Sequence, residues 1–168
     1  MSPDAVTVYL GLGSNLGDSR ENLRNALDFL SQRLRMGLLS AIYDTEPVGN
    51  VNQPRFLNMV CQAFTSLTPA GLLTTAKAVE LKMGRAPGTS GAPRSIDIDI
   101  LFYGDQIVNA PELVIPHPRL VERAFVLVPL ADIAPDLVHP VNHKTIKKLL
   151  QSVEGKDGVR KFEKSGGE

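Results

Sequence analysis

Between residues 96 and 100 the chain alternates isoleucine and aspartate without a break, and this period of two belongs to a strand. Successive side chains of a strand point to opposite faces. Ile96, Ile98 and Ile100 therefore anchor one side, and Asp97 and Asp99 project together from the other, their α-carbons about 6–7 Å apart. Two ionised carboxylates side by side on an otherwise apolar strand repel each other and lose solvation, a cost that a divalent cation cancels. Magnesium suits the pair, because it takes one or two protein carboxylates and completes its octahedron with water and phosphate oxygens. Zinc or iron would ask for histidine or cysteine. Aspartates that point to solvent or pair with arginines satisfy the same pattern, and Arg94, three residues upstream, fits either arrangement.

The rest of the chain supplies partners for this strand. Val6, Val8, Leu10 and Leu12 alternate with less apolar residues and predict a first strand. Asp18 and Glu21 have capping-box spacing, and Leu23, Ala26, Leu27, Leu30 and Leu34 mark one face of a helix over 19–35. Residues 38–45 and 56–65 predict two strands around a long loop holding Pro47, Gly49 and Pro54. Thr68 and Pro69 open a second helix that stops at Gly84. Residues 86–93, rich in glycine and proline, read as a flexible flap before the strand over 96–102. The order β-α-β-β-α-β implies an α+β fold of the ferredoxin-like kind, two layers with helices packed on a mainly antiparallel sheet. Pro111, Pro116, Pro118, Pro129 and Pro135 leave room only for short helices near Leu120 and over 126–131, and 145–153 suits a last helix. Residues 155–168 are charged and predict a frayed tail, so one catalytic domain with an ordered core over about 5–153 is expected.

Bulk properties narrow the function. A chain of 168 residues is long enough to bury roughly 70% of its unfolded surface as one domain. Eighteen basic residues balance 18 acidic ones, so no global field draws the protein to nucleic acid or to an anionic membrane. No window approaches the roughly 18 apolar residues of a membrane span, and the single cysteine, Cys61, suits a reducing, cytoplasmic setting. On oligomeric state the sequence is silent, and a monomer is compatible with it.

Several further residues invite a role. Arg85, Arg94, Arg119 and Arg123 fall in or beside predicted loops, and guanidinium groups with magnesium are the recurring equipment of phosphoryl transfer. Phe56 and Asn58 share a strand face, an aromatic surface beside an amide that donates and accepts, which suits a flat heterocycle and equally suits a core with a satisfied polar network. The glycines of the run 11–17 match neither a dinucleotide fingerprint nor a P-loop. A tight strand-to-helix turn accounts for them. His117 lies between two prolines without acidic or cysteine neighbours, so a polar contact to substrate suits it better than a metal bond.

Four segments, 9–18, 53–58, 93–101 and 115–119, resemble in unbroken order those of the 6-hydroxymethyl-7,8-dihydropterin pyrophosphokinase family of folate biosynthesis. The resemblance implies an ATP-dependent diphosphotransferase acting on 6-hydroxymethyl-7,8-dihydropterin and releasing AMP. It implies that Asp97 and Asp99 hold two magnesium ions arriving with ATP. Phe56 and Phe125 would sandwich the pterin, with Asn58, Thr45 and Val48 at its edge. Arg85, Arg94 and Arg123 would meet phosphates, with Glu80, Ile100 and His117 around the nucleotide. Asp97, Asp99, Arg85 and Arg94 would form the catalytic set. The flap lacks the tryptophan and the extra arginine that some members carry. A non-catalytic binding module and a metal-dependent phosphohydrolase are the rival functions of such a site.

Overall fold

The computed structural model describes residues 5–45, 55–84 and 95–162. Val48, Arg85, Arg94, the expected flap and the last six residues lie outside the described residues. The elements in chain order are β1 (Val6–Ser14), α1 (Ser19–Ser31), β2 (Arg35–Leu39), β3 (Tyr43–Thr45), β4 (Phe56–Thr65), α2 (Pro69–Lys82), β5 (Asp97–Tyr103), β6 (Val108–Ala110), β7 (Leu113–Ile115), α3 (Ala124–Ile133), α4 (Ile146–Ser152) and β8 (Val159–Lys161). Short 3₁₀ turns precede α3 and β8.

The sheet is antiparallel, in the order β5-β1-β4-β3-β8, with β2 also on β4. Placing β1 between β4 and β5 is the ferredoxin-like arrangement expected from the element order. Both main helices begin where their side chains supply a cap. Asp18 accepts from the Glu21 amide and Thr68 from the Gly71 amide, each satisfying one of the donors that a helix start leaves unpaired.

Several boundaries differ from the sequence expectation for local physical reasons. The first helix stops at Ser31 because the amides of Gln32 and Arg33 close onto the carbonyls of Phe29 and Leu30 in a tightened last turn. Leu34 is buried all the same, from that turn and not from the helix. The strand expected over 38–45 is two strands. Ser40 donates its amide to Val60 O, and its hydroxyl accepts from Val60 N at 2.9 Å, so a side chain replaces a carbonyl and the backbone can bend. Residues 159–161 pair with β3, and Phe162 donates to Ile42 O, so the order runs past the point where fraying was expected. β6 and β7 form a hairpin that the prolines had concealed.

The expected two layers are three. Val8, Leu10, Leu12, Met59, Cys61, Ile98 and Ile100 lie with Leu23, Leu30, Leu72 and Val79 of α1 and α2 in a first core. Tyr9, Val60, Leu101 and Phe102 lie with Leu127 and Leu130 of α3 and with Ile146 of α4 in a second. Leu101 is the extra residue of a bulge, since Leu10 pairs with Ile100 but Tyr9 with Phe102. The bulge sends two successive side chains of β5 into the second core. Among the described residues no helix is long and apolar enough to cross a membrane. Leu127, fully buried in the second core, tests the third layer: Leu127→Ala should cost about 2–5 kcal/mol, read as a lower urea midpoint at unchanged slope. A loss within about 0.5 kcal/mol would mean that α3 contributes no packed layer.

Candidate functional site

The strand register collects the chemistry on one face. Gly13 of β1 pairs with Asn58 of β4 on one side and with Asp97 of β5 on the other, and Gly11 pairs likewise with Val60 and Asp99. Because side chains alternate, Phe56, Asn58, Asp97 and Asp99 all rise from the face opposite α1 and α2, beyond the part that α3 and α4 cover. Gly11 and Gly13 belong to the strand itself. Of that run only Gly17 adopts a left-handed turn conformation, at φ 70°, so the turn explanation of these glycines is corrected for the first two.

At the acidic end, Asp99 keeps 38% of its side chain exposed, yet its carboxyl is pushed up to about 6. Desolvation is the largest cause, followed by repulsion from Asp97, with Glu80 adding to it and Arg123 and Lys77 opposing. Glu80 of α2 is buried; its Oε2 accepts from the amide of Ile98 at 2.8 Å, and its Oε1 lies 3.7 Å from Lys77 Nζ. The carboxylate thus holds the outer edge of β5 between the two aspartates. Ile100 points into the first core, so it can meet a ligand only through its main chain. Ile100 lies two residues from Ile98 and by alternation faces the same edge.

His117 reaches the site from the loop after β7. Its amide donates to Leu101 O at 3.1 Å, and its Nδ1 accepts from the Arg119 amide at 3.2 Å. Its pKa is pushed down to about 4, first by burial and then by Arg123 and Arg119. The imidazole is therefore neutral at physiological pH. With Nδ1 accepting, the proton sits on Nε2, which lies 4.0 Å from Asp99 Oδ2. Arg123 acts on both Asp99 and His117, and its guanidinium lies 5.4 Å from the ring centre of Phe125.

The other half is built around an amide. Asn58 Nδ2 donates to Thr45 Oγ1 at 2.7 Å, and the Thr45 hydroxyl approaches Phe56 O at 3.4 Å. Asn58 and Thr45 are both buried. Among the described residues no donor reaches Asn58 Oδ1, and a buried amide oxygen in that condition calls for a partner. Phe56 and Phe125 are each half-buried.

Magnesium fits the donor set. The two facing carboxylates carry oxygen alone, and ionising one of them is costly until a cation arrives. Among the described residues no three histidine, cysteine, aspartate or glutamate side chains converge to hold a metal ion, so the remaining ligands would have to come from water or from a substrate. Sequence reasoning missed Lys77 and the clamping role of Glu80. Their spacing of three on a helix was the available signal, but nothing local indicates that Glu80 meets a strand amide 18 residues away.

The raised Asp99 pKa fixes a sign. A carboxyl that holds its proton more tightly folded than unfolded loses stability as the pH rises through its folded value. In metal-free buffer Asp99→Asn should therefore melt with wild type below about pH 4, and above it as the pH climbs past about 6. A variant that melts below wild type at neutral pH would contradict the assignment.

Comparison with known proteins follows the same lines. The sequence pattern of the family described as 7,8-dihydro-6-hydroxymethylpterin-pyrophosphokinase (HPPK) matches residues 9–135. A protein of Aquifex aeolicus named 2-amino-4-hydroxy-6-hydroxymethyldihydropteridine pyrophosphokinase is 42% identical over 144 residues, 86% of this chain and 90% of that protein. Its namesake in Pseudomonas aeruginosa is 44% identical over 135 residues, 79% of this chain and 83% of that one. The folic acid synthesis protein fol1 of Pneumocystis carinii is 41% identical over 157 residues, 93% of this chain but 21% of its own length, so this chain spans about a fifth of it. Plasmodium falciparum HPPK-DHPS superposes with a TM-score of 0.72 at 18% identity over 88% of this chain and 45% of that one, a likeness of fold.

Proposed function

The chain belongs to the 7,8-dihydro-6-hydroxymethylpterin-pyrophosphokinase family, and from that premise we propose that it transfers diphosphate from ATP to the hydroxymethyl group of 6-hydroxymethyl-7,8-dihydropterin and releases AMP. It is an enzyme, a pyrophosphokinase of folate biosynthesis. The family match disfavours a non-catalytic module and a phosphohydrolase. The observation that supports the site assignment is the row Asn58, Gly13, Asp97, which sets an amide and a carboxylate on one sheet face.

In this account Asp97 and Asp99 hold two magnesium ions that arrive with ATP. Bound there, the ions would screen the triphosphate oxygens and the charge that builds on them. Arg123 would meet the phosphates, a role the resemblance also gives Arg85 and Arg94, and His117 offers its Nε2 proton. Glu80 keeps the β5 edge straight beside the nucleotide, where the main chain of Ile100 is presented. Phe56 and Phe125 sandwich the pterin; Asn58, with Thr45 and Val48, reads its edge. The hydroxymethyl oxygen then bonds to the β-phosphorus, the bond from that phosphorus to the bridging oxygen breaks, AMP leaves with that oxygen, and the hydroxyl proton passes to solvent. Alignment and charge neutralisation supply most of the acceleration, so no general base is needed. His117, with a pKa near 4, is a poor one. The balanced charge, the buried single cysteine and the family's role support a cytoplasmic enzyme whose residues form one catalytic domain.

Asp97→Ala and Asp99→Ala should each abolish AMP formation while the circular dichroism stays that of wild type. Normal turnover by either defeats the metal assignment. Asn58→Ala should raise the pterin KM far more than the ATP KM, and equal effects on both would undo the pterin assignment.

A further inference from the structure

We propose that Gly13 is a specificity-determining position for the pterin, acting through Asn58 as a positioning residue. This deepens the function proposed above and rests on Asn58 being the pterin's partner.

Asn58, Gly13 and Asp97 lie directly across three adjacent strands, so their α-carbons span about 10 Å in two steps, with no side chain at the middle one. A β-carbon placed on Gly13 would meet Asn58 Oδ1 at 2.6 Å and Phe56 Cδ1 at 3.7 Å. The first distance is one that real β-carbons do not tolerate. Asn58 cannot simply swing aside, because its amide nitrogen is tied to Thr45 Oγ1 at 2.7 Å and the side chain is buried. The bare backbone of Gly13 is therefore what lets the carboxamide oxygen lie against β1. The three atoms nearest to that β-carbon belong to Asn58 and Phe56, none of them to Asp97, so a methyl group there disturbs the amide half of the site and spares the acidic half. The same addition at Gly11 would meet the Leu101 side chain at 3.5 Å, an ordinary contact. Of the two strand glycines in this register, Gly13 alone carries the requirement.

The test is steady-state AMP formation with ATP and the hydroxymethylpterin varied separately, in wild type, Gly13→Ala, Asn58→Ala and the double variant. Gly13→Ala should raise the pterin KM on the order of tenfold or more, keep the ATP KM within about twofold, and add nothing to Asn58→Ala, where the truncated side chain leaves room for the methyl group. If Gly13→Ala alone does not fold, the comparison of Asn58→Ala with the double variant decides, and equal pterin KM values there sustain the proposal. An unchanged pterin KM in Gly13→Ala, a parallel rise in both KM values, or additive losses in the double variant would overturn it. Wild type that makes no AMP when offered the pterin refutes the parent function, and the role of Gly13 with it. Wild type that does so while Gly13→Ala matches it in every constant refutes the role of Gly13 alone.

Discussion

Burial of Ile96, Ile98 and Ile100 beneath α1 and α2 holds two carboxylates in a place that electrostatics alone would empty. Each isoleucine taken from water contributes about 1.5–3 kcal/mol, and strand alternation means that this same burial forces Asp97 and Asp99 onto the opposite face. The raised pKa of Asp99 is the trace of that arrangement, an ionisation made costly by desolvation and by a like charge two residues away. The buried carboxylate of Glu80 fits the same scheme. It adds to the repulsion, yet it satisfies the Ile98 amide at the outer edge of β5, where an unmatched donor would be costly. The fold tolerates excess negative charge because apolar packing holds the strand in place.

The two halves of the site are joined by the sheet, and the second helical layer stands over the acidic end. Across the sheet, Gly13 lies between Asn58 and Asp97 in one register. Above it, α3 starts at Ala124, so Arg123 and Phe125 flank that start, the arginine acting on the acidic end with its guanidinium 5.4 Å from the Phe125 ring centre. The layer is tied to the far side of the sheet by Tyr43, whose hydroxyl donates to Asp132 of α3 at 2.8 Å. Desolvation and that carboxylate push the phenol up to about 12, which keeps the tie protonated at any physiological pH.

Much of this was readable in residue order. Periods of two and 3.6 located the main strands and helices, and Thr68, Pro69 and Gly84 bounded α2. The boundaries that differed did so through contacts with partners distant in sequence. Ser40 bends its strand by bonding to Val60, residues 159–161 become a strand by meeting β3, and the bulge at Leu101 exists only against β1. Glu80 was placed beside the nucleotide by resemblance, whereas its hydrogen bond to β5 depends on how α2 docks.

The sequence by itself determined which residues are paired by period: that Asp97 and Asp99 share a face, that Phe56 and Asn58 share one, and that the main elements begin β-α-β and close α-β at the acidic strand. Those are local properties, set by backbone geometry within a few residues. Only the tertiary structure decided that the two pairs occupy the same face, that a glycine separates them, that Glu80 and Lys77 stand behind one and Thr45 behind the other, and that Asp99 and His117 are perturbed. Register and desolvation depend on what lies across the sheet and above it, and no window of the chain contains that information.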